Sequence, residues 1–151
     1  MNLKLVLLFL FLNFLALALG GFLMGGEVGM PWYQNLNRAP WEPPGPVFGI
    51  AWTTIMICFA FYMSYAVDFK IKSIVGLFGI QWLLNVAWNP VFFKFHLMFP
   101  ALLLIISLTI LVGYFLFSNF KTLKYKSLLI LPYFSWLLIA TSLNWYAWAY
   151  N

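Results

Sequence analysis

Hydrophobic positions gather in five long runs along this chain, Leu5 to Met24, Val47 to Val67, Ser73 to Phe93, Leu97 to Phe117 and Ser127 to Ala149. Each has the roughly 20 residues that an α-helix needs to cross the hydrocarbon core of a bilayer. Alternating segments of a membrane β-barrel are absent, so in lipid the main chain can satisfy its hydrogen bonds only as helices. The pattern predicts an all-α integral membrane protein, a five-transmembrane-helix bundle forming a single domain over residues 1–151. Its helices fall at about 5–24, 47–67, 73–93, 97–117 and 127–149, with one long connection at 25–46.

Polar positions inside the runs carry the next level of information. In the third run Gln81, Asn85, Trp88, Asn89 and Phe92 recur at helical spacing, so amides and aromatics share one face. Amides facing hydrocarbon are costly, so that face must look inward. It serves either as interhelical hydrogen bonding or as the lining of a cavity that offers polar handles to an apolar ligand. The fifth run repeats the pattern with Trp136, Ala140, Leu143 and Asn144, where the small Ala140 leaves room beside an indole. Pro100 and Pro132 suit first helical turns, and Pro90 is expected to bend the end of the third helix. Lys4 and Ala16-Leu17-Ala18 also fit a secretory signal. The apolar stretch nevertheless runs on to Met24, and Gly21 and Gly25 have the spacing of a packed membrane helix, which keeps the count at five.

Composition sharpens this picture. The chain is 65% hydrophobic, 22% aromatic and 7% charged, where a soluble domain has about 25% charged residues. Lys4, Lys70, Lys72, Lys121, Lys124 and Lys126 fall on the side of the N-terminus, against Arg38 and Lys94 on the other. Short cytoplasmic loops collect basic residues, so the N-terminus is expected to be cytoplasmic. The C-terminus and the long loop then lie on the opposite face. The net charge of +5 follows from topology and anionic lipid, without nucleic acid as a partner. Cys58 has no second cysteine to pair with and is read as a packing residue.

Catalytic signatures are missing. No intramembrane carboxylate pair, Ser/His/Asp arrangement, phosphate loop or metal-ligand spacing can be read, and Glu27, Glu42 and Asp68 lie in or beside loops. His96, in a short turn at the interface, reads as a solvated side chain before it reads as a haem ligand. The long connection is the distinctive part. From Trp32 to Gly45 it is aromatic and locked by Pro40, Pro43 and Pro44, which suggests a preshaped lid over a binding space.

Three separated motifs then match a family. Trp32-Tyr33, Leu36, Pro40-Trp41-Glu42-Pro43-Pro44, Val47-Phe48-Gly49 and Trp52-Thr53 are followed by Asn85-Val86-Ala87-Trp88-Asn89-Pro90-Val91-Phe92-Phe93. Leu131-Pro132-Tyr133-Phe134-Ser135-Trp136 and Ala140-Thr141-Ser142-Leu143-Asn144 complete the set. Over essentially its whole length the chain resembles the translocator protein family, the tryptophan-rich sensory proteins or peripheral-type benzodiazepine receptors. The resemblance implies a five-helix bundle, usually dimeric, that binds protoporphyrin IX, haem, isoquinoline carboxamide or benzodiazepine-type drugs and, in animals, cholesterol. By position it implies a ligand site of Tyr33, Pro43, Trp52, Met56, Asn89, Phe92, Trp136 and Ala140. The animal sterol motif needs a basic residue after its tyrosine, and Tyr146 to Asn151 supply none.

The reading that results is a membrane receptor for tetrapyrroles and similar flat lipophilic ligands, with no cofactor required, no metal, and porphyrin or haem as the ligand. Two alternatives stand beside it. One is light- and oxygen-dependent porphyrin degradation, which the resemblance assigns to Trp52 and Trp136; the other is transport of porphyrin or sterol-like lipophiles. The lack of buried ionisable residues and of an inverted repeat weighs against transport.

Overall fold

A computed structural model of the chain describes residues 2–26, 29 and 31–151; Glu27, named above as a loop carboxylate, lies outside the described residues. The regular structure among them is helical: α1 (Leu3–Met24), a short α2 (Pro31–Gln34), α3 (Gly45–Asp68), α4 (Ile74–Asn89), α5 (Met98–Leu123) and α6 (Leu131–Tyr150). By length and composition, four unbroken helical stretches can cross a membrane, Leu3–Met24, Gly45–Asp68, Ile74–Lys94 and Met98–Tyr150.

The last of these spans 53 residues and doubles back. Phe99 meets Trp148, Thr109 Oγ1 lies 3.0 Å from Thr141 Oγ1, and Phe117 meets Phe134, so α5 and α6 run antiparallel. A 3-10 segment, Lys124–Ile130, makes the reversal. Lys124 sits at φ 52°, a left-handed conformation that stops α5. Helix α5 outlasts its predicted end at Phe117 because Asn119 is buried and donates from Nδ2 to the Tyr62 hydroxyl at 2.9 Å. Pro132 occupies the first turn of α6, where a missing N–H costs least.

Pro90 does more than bend its helix. Without an N–H it cannot continue the α ladder, and the chain widens into a π-helical turn over Pro90–Lys94. Phe95 N–H then donates to the Pro90 carbonyl at 2.9 Å. Helix α1 packs into the bundle: Asn13 Nδ2 donates to the Met56 carbonyl at 3.0 Å, and Trp82 Nε1 to the Leu12 carbonyl at 2.8 Å. The glycine that permits close approach is Gly20, not the expected Gly21 and Gly25. A Cβ on Gly20 would lie 2.5 Å from Asn89 Nδ2, whereas Gly21 meets open space and Gly25, at φ 71°, caps α1.

The inward amides of α4 divide between the two roles their spacing allowed. Gln81 Nε2 donates to the Tyr133 hydroxyl at 2.7 Å and ties α4 to α6. Asn144 accepts from Trp88 Nε1 at 2.9 Å and donates to the Met98 carbonyl at 3.1 Å, linking α4, α5 and α6. Asn85 and Asn89 instead line a cavity. Lys4, Lys70, Lys72, Lys121, Lys124 and Lys126 fall at one end of the bundle, where Lys126 Nζ lies 4.5 Å from the Tyr65 ring centroid and Asn2 N–H donates to Asp68.

Candidate ligand cavity

At the other end the helices part around a cavity of about 810 Å³. It opens where side chains are small: Ala16 and Gly21 on α1, Gly45 at the start of α3 and Ala140 on α6. Phe48 and Trp52 of α3, Asn85, Trp88 and Asn89 of α4, Phe93 of the π-helical turn and Trp136 of α6 supply larger walls. The rings brace one another edge to face. Trp136 meets Phe48 at 5.2 Å between centroids, and Trp52 meets Tyr133 at 6.1 Å.

Trp136 is 7% exposed, and its buried Nε1–H has no acceptor among the described residues. An unpaired buried donor costs about 1–3 kcal/mol, which an acceptor on a bound molecule recovers. Asn89 spends Nδ2 on the Asn85 carbonyl at 3.1 Å, and its Oδ1 makes no hydrogen bond with the described residues. Trp136 and Asn89 thus offer the wall one donor and one acceptor, apart from the polar side chains of Tyr33, Gln34, Arg38, Glu42 and Asn85 that also line it.

Helix α2 and the segment that follows it roof this space and are fastened on two sides. Toward α4, Trp32 stacks on His96 at 3.8 Å and meets Phe92 at 5.9 Å, while Tyr33 meets Phe93 at 5.3 Å. Toward α6, Trp41 Nε1 donates to Ser142 Oγ at 3.0 Å and its ring meets Tyr146. Asn37 N–H donates to Asn151 Oδ1 at 2.8 Å, and Asn151 Nδ2 returns a bond to the Asn37 carbonyl. Pro43 and Pro44 lie on the cavity side, and Pro44 caps α3 with extended backbone. Under the roof, the Tyr33 hydroxyl donates to Glu42 Oε1 at 2.9 Å, and Arg38 meets the same oxygen at 3.3 Å. Burial, reinforced by the Glu42 carboxylate, pushes the Tyr33 phenol up to about 12.

Of the residues singled out from sequence, Tyr33, Pro43, Trp52, Asn89, Trp136 and Ala140 share this wall. Met56 does not. It lies one turn beyond Trp52, 1% exposed in the packed core. Phe92 stacks on Trp88 at 5.5 Å and faces a smaller adjoining cavity of about 60 Å³. Sequence reasoning missed Ala16, Gly21, Phe48, Arg38 and Glu42. The small residues of α1 and the i, i+4 spacing of Arg38 and Glu42 were the available signals.

The sequence pattern of the TspO/MBR family matches residues 8–149 of this chain. A tryptophan-rich sensory protein of Cereibacter sphaeroides is 33% identical over 150 residues, covering 94% of this chain and 91% of that protein. The translocator protein of Homo sapiens is 32% identical over 130 residues, 82% of this chain and 76% of its own length. Tryptophan-rich protein TspO of Archaeoglobus fulgidus is 31% identical over 140 residues, 91% of each.

Proposed function

The chain belongs to the TspO/MBR family, and from that premise we propose that it is a membrane receptor for tetrapyrroles such as protoporphyrin IX and haem, held in the cavity beneath the Trp32 to Pro44 roof. The observation that carries this reading is a roofed hollow of about 810 Å³ walled by Trp52, Trp88 and Trp136. That size falls in the usual range for ligand sites, about 300–1,000 Å³. Flat macrocycles suit such walls because offset or edge stacking adds about 0.5–1.5 kcal/mol per ring beyond burial of area. Trp136 Nε1–H and Asn89 Oδ1 would fix orientation, and no cofactor is needed for binding.

In this reading the limbs α5 and α6 each cross the bilayer, giving five spans with the lysine-rich end cytoplasmic. The exposed face of α4 around Gly76, Gly79 and Leu83 pairs two copies into a dimer, and a monomer mass in mild detergent contradicts that pairing. Titration of purified protein with protoporphyrin IX, followed by fluorescence quenching, tests the receptor. Trp136→Ala lowers affinity about tenfold if the wall binds the ring; unchanged affinity removes the site as drawn.

One observation favours a second reading, photochemical breakdown of the bound porphyrin: several indoles, the readiest electron donors among side chains here, border the same space. Illumination with protoporphyrin IX in air, followed at the Soret band, separates the two. Loss no faster than in a Trp52→Phe, Trp136→Phe double variant leaves binding alone.

A further inference from the structure

Among the described residues, Arg38 is the one cation and Glu42 the one carboxylate on the cavity wall, and they hold each other across its roof. The pair is made end-on through a single contact of 3.3 Å, with Arg38 44% exposed and Glu42 16% exposed. A guanidinium carries five N–H donors in a fork that matches a carboxylate with two parallel bonds. Arg38 spends one of them on Glu42, and its carbon sits 5.6 Å from the centroid of the Tyr33 ring. Part-exposed single contacts of this kind contribute little, so Arg38 can leave Glu42 at small cost. Glu42 keeps the 2.9 Å bond from Tyr33 when it does.

From this geometry we propose that Arg38 anchors a carboxylate of the ligand at the cavity mouth, and that Glu42 is an internal carboxylate occupying the anchor until the ligand takes it. The proposal rests on the receptor reading above and narrows it to flat lipophilic acids. Their apolar rings enter the aromatic hollow while their acid groups stay at the rim. Neutral flat molecules gain nothing from Arg38. Glu42 lowers affinity for acids in two ways, by competing for the guanidinium and by repelling the incoming charge.

Protoporphyrin IX and its dimethyl ester share the macrocycle and differ in the charge of the two side arms, so titrating the full-length protein with both tests the anchor. Arg38→Gln is expected to weaken binding of the acid about tenfold and to leave the ester unchanged, as loss of a charge-assisted contact requires. Arg38→Lys retains part of the acid preference. Glu42→Gln, which can still accept from Tyr33, strengthens acid binding about threefold without affecting the ester. Lys94→Gln, exposed and off the cavity wall, changes neither. If Arg38→Gln weakens acid and ester equally, or weakens neither, the anchor is wrong while the hollow stands as a porphyrin site. If wild-type protein binds neither compound, both the anchor and the receptor reading fall.

Discussion

The two ends of this bundle are built from the same apolar vocabulary, yet one is filled and the other is hollow. At the lysine-rich end Phe59 is enclosed by aromatic neighbours: Tyr62, Phe115, Phe78 and Tyr133 lie at 6.1, 6.2, 5.9 and 5.3 Å between centroids. Tyr62 is satisfied in both directions, donating to the Phe115 carbonyl at 2.7 Å and accepting from Asn119. At the loop end Ala16, Gly21, Gly45 and Ala140 border the space that rings fill below. A proline-stiffened segment covers it in place of side chains. Hydrophobicity is alike at both ends; side-chain volume at facing positions decides which end closes.

The contrast can be broken from either side. Phe59→Ala should destabilise the protein by about 3–5 kcal/mol, because rigid rings around it cannot collapse into the gap. Denaturant unfolding in detergent reads this directly, and a loss under about 1 kcal/mol would mean that the lower half is not close-packed. Tyr62→Phe keeps the ring and strands the partners of its hydroxyl, costing about 1–2 kcal/mol in the same assay. Two glycines sharpen the boundary between the halves. Gly20→Ala drives a methyl group toward Asn89 Nδ2 and should cost about 1 kcal/mol, whereas Gly49→Ala, on the exposed side of α3, meets open space and should gain about 0.5–1 kcal/mol from helix propensity. Equal effects would deny the close approach of α1 and α4.

The smallest effect concerns the roof. The Tyr33 phenol is raised from 10.0 to about 12, first by burial and then by Glu42. The folded state therefore holds this proton more tightly than the unfolded chain. Its contribution to stability is complete below the ordinary phenol range and fades as pH climbs toward 12. The tyrosinate absorbance missing from Tyr33→Phe should appear near pH 12; appearance near pH 10 would show an open, hydrated roof.

Much of this arrangement was legible in the chain. Apolar runs located the long helices, and helical spacing put Asn89, Trp136 and Ala140 on inward faces. The depth of each residue was not legible. Met56 and Trp52 are one turn apart on α3, and only the packing of α1 against that turn sends one to the core and the other to the cavity. Periodicity likewise could not choose between Gly20 and Gly21, which point about 100° apart, because α1 is apolar on every side and shows no face that must turn inward. The gap between the last two runs marked the joint of α5 and α6, but its place at Lys124 escaped, because a left-handed backbone there has no signature in side-chain chemistry. The meeting of Tyr33, Arg38 and Glu42 depends on a loop path fixed by contacts to α4 and α6, far away in sequence.

Ala140 offers the most direct test of the hollow end as the ligand site, because it borders both the large cavity and the small one beside it. Protoporphyrin IX titration of Ala140→Phe should show affinity reduced at least about tenfold, with unfolding stability within about 1 kcal/mol of wild type, since the new ring fills existing space. Wild-type affinity in a stably folded Ala140→Phe protein would place the ligand elsewhere and contradict the account.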